Sequence, residues 1–294
     1  MKVSGFTFVK NGISLGYPIL ESLKSLEPLC DEIVINVCFD QEDCKDDDGT
    51  YEYLRDNLSQ EKYVFIKNHW VHDKAYGTHL YSSQTNKALE KCTGDICQYI
   101  QGDEALHEKE YGEIERGYKE LTERSDIDAL LFHYYHFYGN VDAIKYTRHM
   151  YKREIRAFKN GLGIKSWLDA QGFRSADDQK LFAKQIDAHI YHYGWARKES
   201  IMKKKIDVMA SHYEGGSKGE GEQFQYRRIW GVREFKGTHP AIVKDWVDKN
   251  RNEIDMMSLP RDYHLGDLRH MIGDTIEDLT GYRIGEYKNF RLRK

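Results

Sequence analysis

The rhythm of the first hundred residues constrains this chain most: short apolar runs alternate with amphipathic stretches. Residues 33–39 (IVINVCF) form a near-continuous apolar run of strand length, the pattern of a strand buried on both faces of a parallel sheet. Residues 2–9, 63–66 and 96–100 read as three further strands. Between them, residues 17–29 place Ile19, Leu20, Leu23 and Leu26 at three- and four-residue spacings, the period of a helix with one buried face. Residues 50–58 and 78–92 read the same way, the latter stopped by Gly94. This alternation predicts an α/β fold with a mostly parallel central sheet flanked by helices.

The rhythm then changes. Residues 108–123 read as a charged helix and 129–138 (ALLFHYYHFY) as an aromatic-rich strand. Strand-like pieces at 154–158 and 186–193 flank a Gly-containing loop, which predicts antiparallel strands added to one sheet edge. From about residue 199 the pattern is helical and polar, with helices expected at 240–250 and 263–279 and an alternating piece at 281–287. Residues 215–221 (GGSKGEG) are the one linker-like stretch. The expected organisation is a sheet domain over 1–205 and a C-terminal helical extension over 206–294.

Charge and composition narrow the partners. Lys and Arg number 44 against 48 Asp and Glu, a net charge of −4, which argues against nucleic acid because long polyanions need a basic field. No apolar run is long enough to span a bilayer, and the amino terminus lacks a signal-peptide apolar region. The five cysteines show no Cys-x-x-Cys spacing, so free thiols in a cytoplasmic protein are expected. The acidic run at 40–48 carries six carboxylates but lacks calcium-loop spacing and reads as a solvated loop. Asp48 or Thr50 is placed to cap the following helix. Dinucleotide, phosphate-loop, serine-hydrolase and zincin signatures are all absent.

Two places hold chemistry-bearing residues. Gln101, Gly102, Asp103 and Glu104 directly follow the fourth strand, where open α/β sheets bind ligands. Adjacent side chains in an extended loop diverge, so one metal contact plus one structural or substrate contact is expected; a solvated acidic turn is the alternative. The second place is the strand carrying His189 and His192, whose odd separation lets only one of them face a given partner. Arg197 and Lys198 follow His192, and then come Lys203, Lys204 and Lys205. Those lysines read either as a basic helix closing over phosphates or as a solvated helix face.

Taken in order, these motifs resemble the family-2 glycosyltransferases of the nucleotide-sugar-binding GT-A fold, particularly bacterial members of cell-surface polysaccharide assembly. The resemblance rests on the first strand with Lys10-Asn11, on residues 31–37 followed by Asp48-Gly49-Thr50, on residues 84–89 followed by Cys92-Thr93-Gly94-Asp95, and on Gln101-Gly102-Asp103-Glu104. It implies inverting, metal-assisted sugar transfer from a nucleotide-sugar donor to a glycan or glycolipid acceptor. Asp103 matches the second aspartate of Asp-x-Asp and His192 the histidine completing the metal shell, with Mn²⁺ or Mg²⁺ as cofactor and the imidazole favouring Mn²⁺. Gln101 replaces the first aspartate and can bond a ribose hydroxyl. The implied donor site comprises Lys10, Asn11, Asn86, Lys87, Gln101 and Arg197, with Asn36 and Asp40 as candidates for the base contact.

Asp169 is the implied base that deprotonates the acceptor, with Glu154 second. Trp167 is placed to stack on an acceptor sugar or to pack in the core. Arg153 and Arg156 are read as sharing one strand face, for a charged acceptor or a salt bridge, with Arg156 the acceptor contact. Two other readings stand beside transfer: a carbohydrate-binding scaffold on the same fold, and nucleotidyl transfer to a sugar phosphate. The C-terminal helices suggest homo-oligomer formation or acceptor selection. The basic end (Lys288, Arg291, Arg293, Lys294) reads as a solvated tail or as a peripheral contact to anionic lipid at the inner membrane face.

Overall fold

The computed structural model describes residues 1–45, 48–71, 79–148, 150–211 and 224–294. The glycine-rich stretch at 215–221 and part of the acidic run, at 46 and 47, lie outside the described residues. The first half follows the alternation read from sequence. Strands β1 (Val3–Val9), β2 (Glu32–Phe39), β3 (Tyr63–His69) and β4 (Ile96–Tyr99) lie in the order β3-β2-β1-β4, all parallel. Helices α1 (Ile19–Lys24), α2 (Thr50–Asn57) and α3 (Leu80–Leu89) connect them. Burial on both faces explains the near-continuous apolar run of β2. Ile33, Ile35 and Val37 pack with Leu23 of α1 and Leu54 of α2, while Val34 packs on the other face with Ala88 and Leu89 of α3.

Past β4 the sheet becomes mixed. After β5 (Glu104–Leu106) and α4 (Tyr111–Glu123) comes the long β6 (Ala129–Tyr138), whose hairpin partner is β7 (Asn140–Lys145). Strand β8 (Arg153–Lys159) runs antiparallel to both β4 and β6 and so joins the two halves. A separate hairpin, β9 (Lys165–Trp167) and β10 (Gly172–Arg174), leads to β11 (Phe182–Trp195), which pairs parallel to β6 and antiparallel to β5. Among the described residues the further α-helices are α5 (Glu199–Ser211), α6 (Lys244–Asn250) and α7 (Leu268–Thr280).

The C-terminal segment, read from sequence as helical, also returns two short strands to the sheet. These are β12 (Val232–Glu234) against β7 and β13 (Arg291–Arg293) against β11. Three residues are too few for a two-residue period to show, and β13 is exposed throughout, so no pattern announces it. The five cysteines are all free. Among the described residues no helix is long and apolar enough to cross a membrane.

Register places the candidate site. The antiparallel pairing of β5 with β11 sets Glu104 opposite His192. Asp103, immediately before β5, therefore reaches the histidine from the neighbouring strand, and its backbone carbonyl accepts from the Tyr193 amide at 2.7 Å.

Candidate functional site

A cavity of about 380 Å³ opens at the carboxyl ends of β1 and β4. Its floor and walls come from several separate parts of the chain. Phe8, Lys10 and Asn11 end β1, Gln101 and Asp103 follow β4, Asp169 and Gln171 sit in the β9–β10 turn, and His192 and Lys205 come from β11 and α5. One wall is aromatic: Trp70 lies 6.0 Å from Phe8 and 5.6 Å from Tyr81 between ring centroids, close enough for tilted and edge contacts.

The other wall is a charge cluster built on Asp103. Its Oδ2 accepts from the Lys205 ammonium at 3.0 Å and from Arg197 Nη2 at 3.5 Å, while His192 Nε2 lies 3.6 Å from Oδ1. Burial alone raises the pKa of a carboxyl. Here Lys205, His192 and Arg197 outweigh burial and hold Asp103 well below the ordinary carboxylate range. Both cations are fixed by further contacts. Lys205 also donates to the Gly194 carbonyl at 3.0 Å, and Arg197 donates to the Leu15 carbonyl at 2.8 Å with its guanidinium 4.2 Å above the Tyr17 ring.

The histidines set which nitrogen faces the carboxylate. His136 Nε2 lies 2.7 Å from the Tyr151 carbonyl, which can only accept, so that nitrogen carries the proton. In neutral His136 the other nitrogen, Nδ1, then accepts from His192 Nδ1 at 2.9 Å. His192 in its neutral form thus presents an unprotonated Nε2 to the cavity. Burial depresses the pKa of both rings; for His192, Asp103 and Glu104 oppose that shift. Gly194 permits the close approach, since a Cβ there would fall 2.5 Å from His192 Nε2 and 2.9 Å from Asp103 Oδ2.

Glu104, the next residue, turns the other way. Its carboxylate receives two bonds from Arg156, at 2.8 and 3.1 Å, one from Tyr134 at 2.9 Å and one from the Gln101 amide at 3.0 Å. Neither Glu104 nor Arg156 is exposed at all. Arg156 is therefore an interior counter-ion and lies outside the cavity lining, because a fully buried carboxylate needs a cation at hand. The expectation that Arg153 and Arg156 share a face is corrected here. Arg153 pairs with Glu286 at 3.0 Å in a half-buried surface site, a different environment from that of Arg156. An odd separation on a strand reverses the side chain, and the β6–β8 ladder also slips between Leu130 and Leu131.

Asp169 is exposed at the tip of the β9–β10 turn and lines the cavity. Its neighbours Leu168 and Ala170 hold φ of 52° and 61°, a left-handed conformation costing side-chain-bearing residues about 1–3 kcal/mol each. The turn is pinned by Gln101 Nε2, which donates to the Ala170 carbonyl at 3.3 Å, and by Ser166 and Asn86, whose Oδ1 accepts from the Ser166 amide at 2.7 Å. Glu154 lies behind this turn and accepts from Gln171 Nε2 at 2.8 Å; burial pushes its pKa up to about 7 against the opposing pull of Gln171 and Arg156.

The structure thus brings Lys10, Asn11, Gln101, Asp103, Asp169 and His192 to one cavity. The other sequence-predicted residues do not line it. Asn36 is buried and donates to the Gln84 carbonyl at 2.9 Å, Lys87 donates to Asn68 at 2.8 Å, and exposed Asp40 pairs with Lys10 at 2.7 Å. Trp167 stands edge-on to His79 at 5.5 Å, outside the cavity lining. Arg197 acts on Asp103 from full burial. His189 bonds Glu110 at 2.8 Å and stacks 4.5 Å from Tyr135, away from His192, as their odd separation requires.

Sequence reasoning missed His136, Trp70 and Tyr81, and passed over Lys205 within its lysine run. The signal for Lys205 was its position three residues after Met202, on the inward face of α5: Met202 and Lys205 are buried, whereas Lys204 is exposed.

No family model matches the sequence, and no curated protein matches it. Among solved structures, the chain is distantly similar to S. aureus TarS 1–349, at 13% identity and a TM-score of 0.38 over 72% of this chain and 65% of that one. The same protein in complex with UDP-GlcNAc gives 15% identity and 0.39, over 72% and 66%. Glucosyl-3-phosphoglycerate synthase from Mycobacterium tuberculosis, in complex with Mn²⁺, UDP and phosphoglyceric acid, gives 15% and 0.30 over 48% and 45%. The chain thus spans just under two thirds of the TarS 1–349 chain. At these values the likeness assigns the chain neither a family nor an activity.

Proposed function

We propose that this protein transfers a sugar from a nucleotide-sugar donor to a hydroxyl of a glycan or glycolipid acceptor, with inversion at the anomeric carbon, in bacterial surface polysaccharide synthesis. The observation that supports this reading is a two-sided cavity at the carboxyl ends of parallel strands. Phe8, Trp70 and Tyr81 offer aromatic surface to a base, and the Asp103–Lys205–His192 cluster offers charge to a diphosphate. Asp169, exposed on its own loop, is the acceptor-side base. In the step, the acceptor oxygen attacks the anomeric carbon while its proton passes to Asp169. The bond from that carbon to the phosphate oxygen breaks, and the nucleoside diphosphate leaves with the electron pair. Lys205 stabilises the charge that builds on the leaving oxygen.

The resemblance also implies Mn²⁺ or Mg²⁺. Asp103 Oδ1 and the unprotonated His192 Nε2 are two donors of suitable type, 3.6 Å apart. Among the described residues no group of three His, Cys, Asp or Glu side chains is placed to hold a metal. The pair fits a divalent ion that takes its other oxygens from ligand and water. Such an ion, when bound, supplies Lewis-acid neutralisation of the leaving diphosphate.

The test is a panel of nucleotide sugars, UDP-GlcNAc among them, scored by thermal shift and by donor hydrolysis. Stabilisation by at least one donor, with turnover lost in Asp169→Ala and Asp103→Ala, is expected. No binding of any nucleotide sugar, or turnover surviving Asp169→Ala, overturns the reading.

A further inference from the structure

Asp103 carries one negative charge against the two positive charges of Lys205 and Arg197, both within 3.5 Å of its Oδ2. The cluster therefore holds a surplus of positive charge in the ligand-free protein, at a place buried enough to screen it poorly from the cavity. An ammonium has three donors; Asp103 and Gly194 take two of them, which leaves the third for the cavity that Lys205 lines. Arg197, fully buried, adds its charge without reaching the cavity. Tyr17 lies under both cations, with Lys205 Nζ 5.3 Å from its ring centroid, and holds them in place.

We propose that this cluster is an anion receptor in its own right, with Lys205 its contact residue. It binds a diphosphate group without a divalent cation, and a divalent cation binds at Asp103 and His192 only after the diphosphate has arrived. The physical reason is the order of charges. A free dication approaching Asp103 meets two fixed cations already bonded to the same carboxylate, whereas a dication arriving beside a bound diphosphate meets an excess of negative oxygens. This deepens the nucleotide-sugar reading and rests on it for the identity of the diphosphate, although the receptor can be tested without a nucleotide.

Inorganic pyrophosphate is the probe, measured by calorimetry on the full chain in EDTA and again with Mn²⁺, beside Mn²⁺ binding followed by electron paramagnetic resonance. Wild type is expected to bind pyrophosphate in EDTA, and to bind Mn²⁺ at least tenfold more tightly when pyrophosphate is present. Lys205→Met should weaken metal-free pyrophosphate binding about 10- to 100-fold, as expected for a charge-assisted hydrogen bond, and should tighten Mn²⁺ binding to the ligand-free protein. Lys205→Arg, which keeps the charge, should restore most of the pyrophosphate affinity, so that loss through misfolding is told apart from loss of the contact. Mn²⁺ binding equally well to ligand-free wild type and Lys205→Met, or pyrophosphate binding that requires Mn²⁺ in wild type, overturns the proposal. Pyrophosphate binding as described with no nucleotide sugar bound would sink the sugar-transfer reading and leave the receptor standing. Nucleotide-sugar binding that strictly requires Mn²⁺ would do the reverse.

Discussion

Asp103 and Glu104 are neighbours in sequence, yet they anchor two charge clusters of different kinds. Glu104 is sealed in the interior with Arg156, Tyr134 and the Gln101 amide, and each of its oxygens has protein partners. Asp103 lines the cavity, shares its cations with other groups, and leaves an ammonium donor and an imidazole nitrogen available to a ligand. The first cluster is saturated and does structural work. The second has more positive than negative charge and can exchange partners. Burial alone does not separate them, because Asp103 is itself only 7% exposed. The number of partners left open does.

The sharpest way to break this comparison is to remove one cation from each. Arg156→Met strands a fully buried carboxylate and should cost about 3–5 kcal/mol in denaturant unfolding. Lys205→Met leaves Asp103 with Arg197 and access to water, and should cost well under half as much. Equal losses would mean that both clusters are structural.

Asp169→Asn extends the contrast to an exposed carboxylate that makes no ion pair among the described residues. Transfer should fall about 10²- to 10⁴-fold, as for loss of a general base, with stability unchanged within ~0.5 kcal/mol. A stability loss with activity retained would reassign Asp169 to the strained turn that carries it.

Glu154 supplies a pH test of how much an incompletely compensated burial costs. Its folded pKa is about 7 against an ordinary 4.5, so the folded state binds the extra proton and stability must fall as pH rises through that window. The drop should approach about 3 kcal/mol by pH 8 and should vanish in Glu154→Gln, followed by denaturant unfolding at several pH values. Asp103 gives the opposite sign: its pKa is depressed, so its contribution is present above the ordinary carboxylate range and is lost on acidification below it.

The smallest effect tests packing. In Gly194→Ala the new methyl would sit against His192 Nε2 and Asp103 Oδ2, and a cost of about 1–3 kcal/mol is expected together with weakened pyrophosphate binding. A neutral result would show that the cluster tolerates displacement.

Much of the fold was legible because buried parallel strands and their helices carry strong periods. The run at 33–39 is a buried strand, and Ile19 and Leu23 share the inward face of α1, but that helix is shorter than the 17–29 spacing predicts: it ends at Lys24, and Leu26 is buried from the turn after it. The loop after β4 was legible as a site because topology places ligands there, and the divergence of Asp103 from Glu104 follows from strand geometry. The acceptor role read for Arg156 was not separable from a salt bridge in sequence, since its partner Glu104 is 52 residues away. Trp70 and Tyr81 belong to no motif in the sequence, and only the packing of β1, β3 and α3 turns them into a cavity wall.

The amino-acid order alone determined the parallel half-sheet, its helices and the placing of Asp103 at a strand end, because local periodicity and burial act over a few residues. Tertiary structure decided which charges face the cavity. Register between β5 and β11 brought His192 to Asp103, and the inward turn of α5 made Lys205 its partner. Such pairings join residues roughly ninety to a hundred positions apart, and the energy of a charge depends on which neighbours share its burial, a quantity that no local pattern carries.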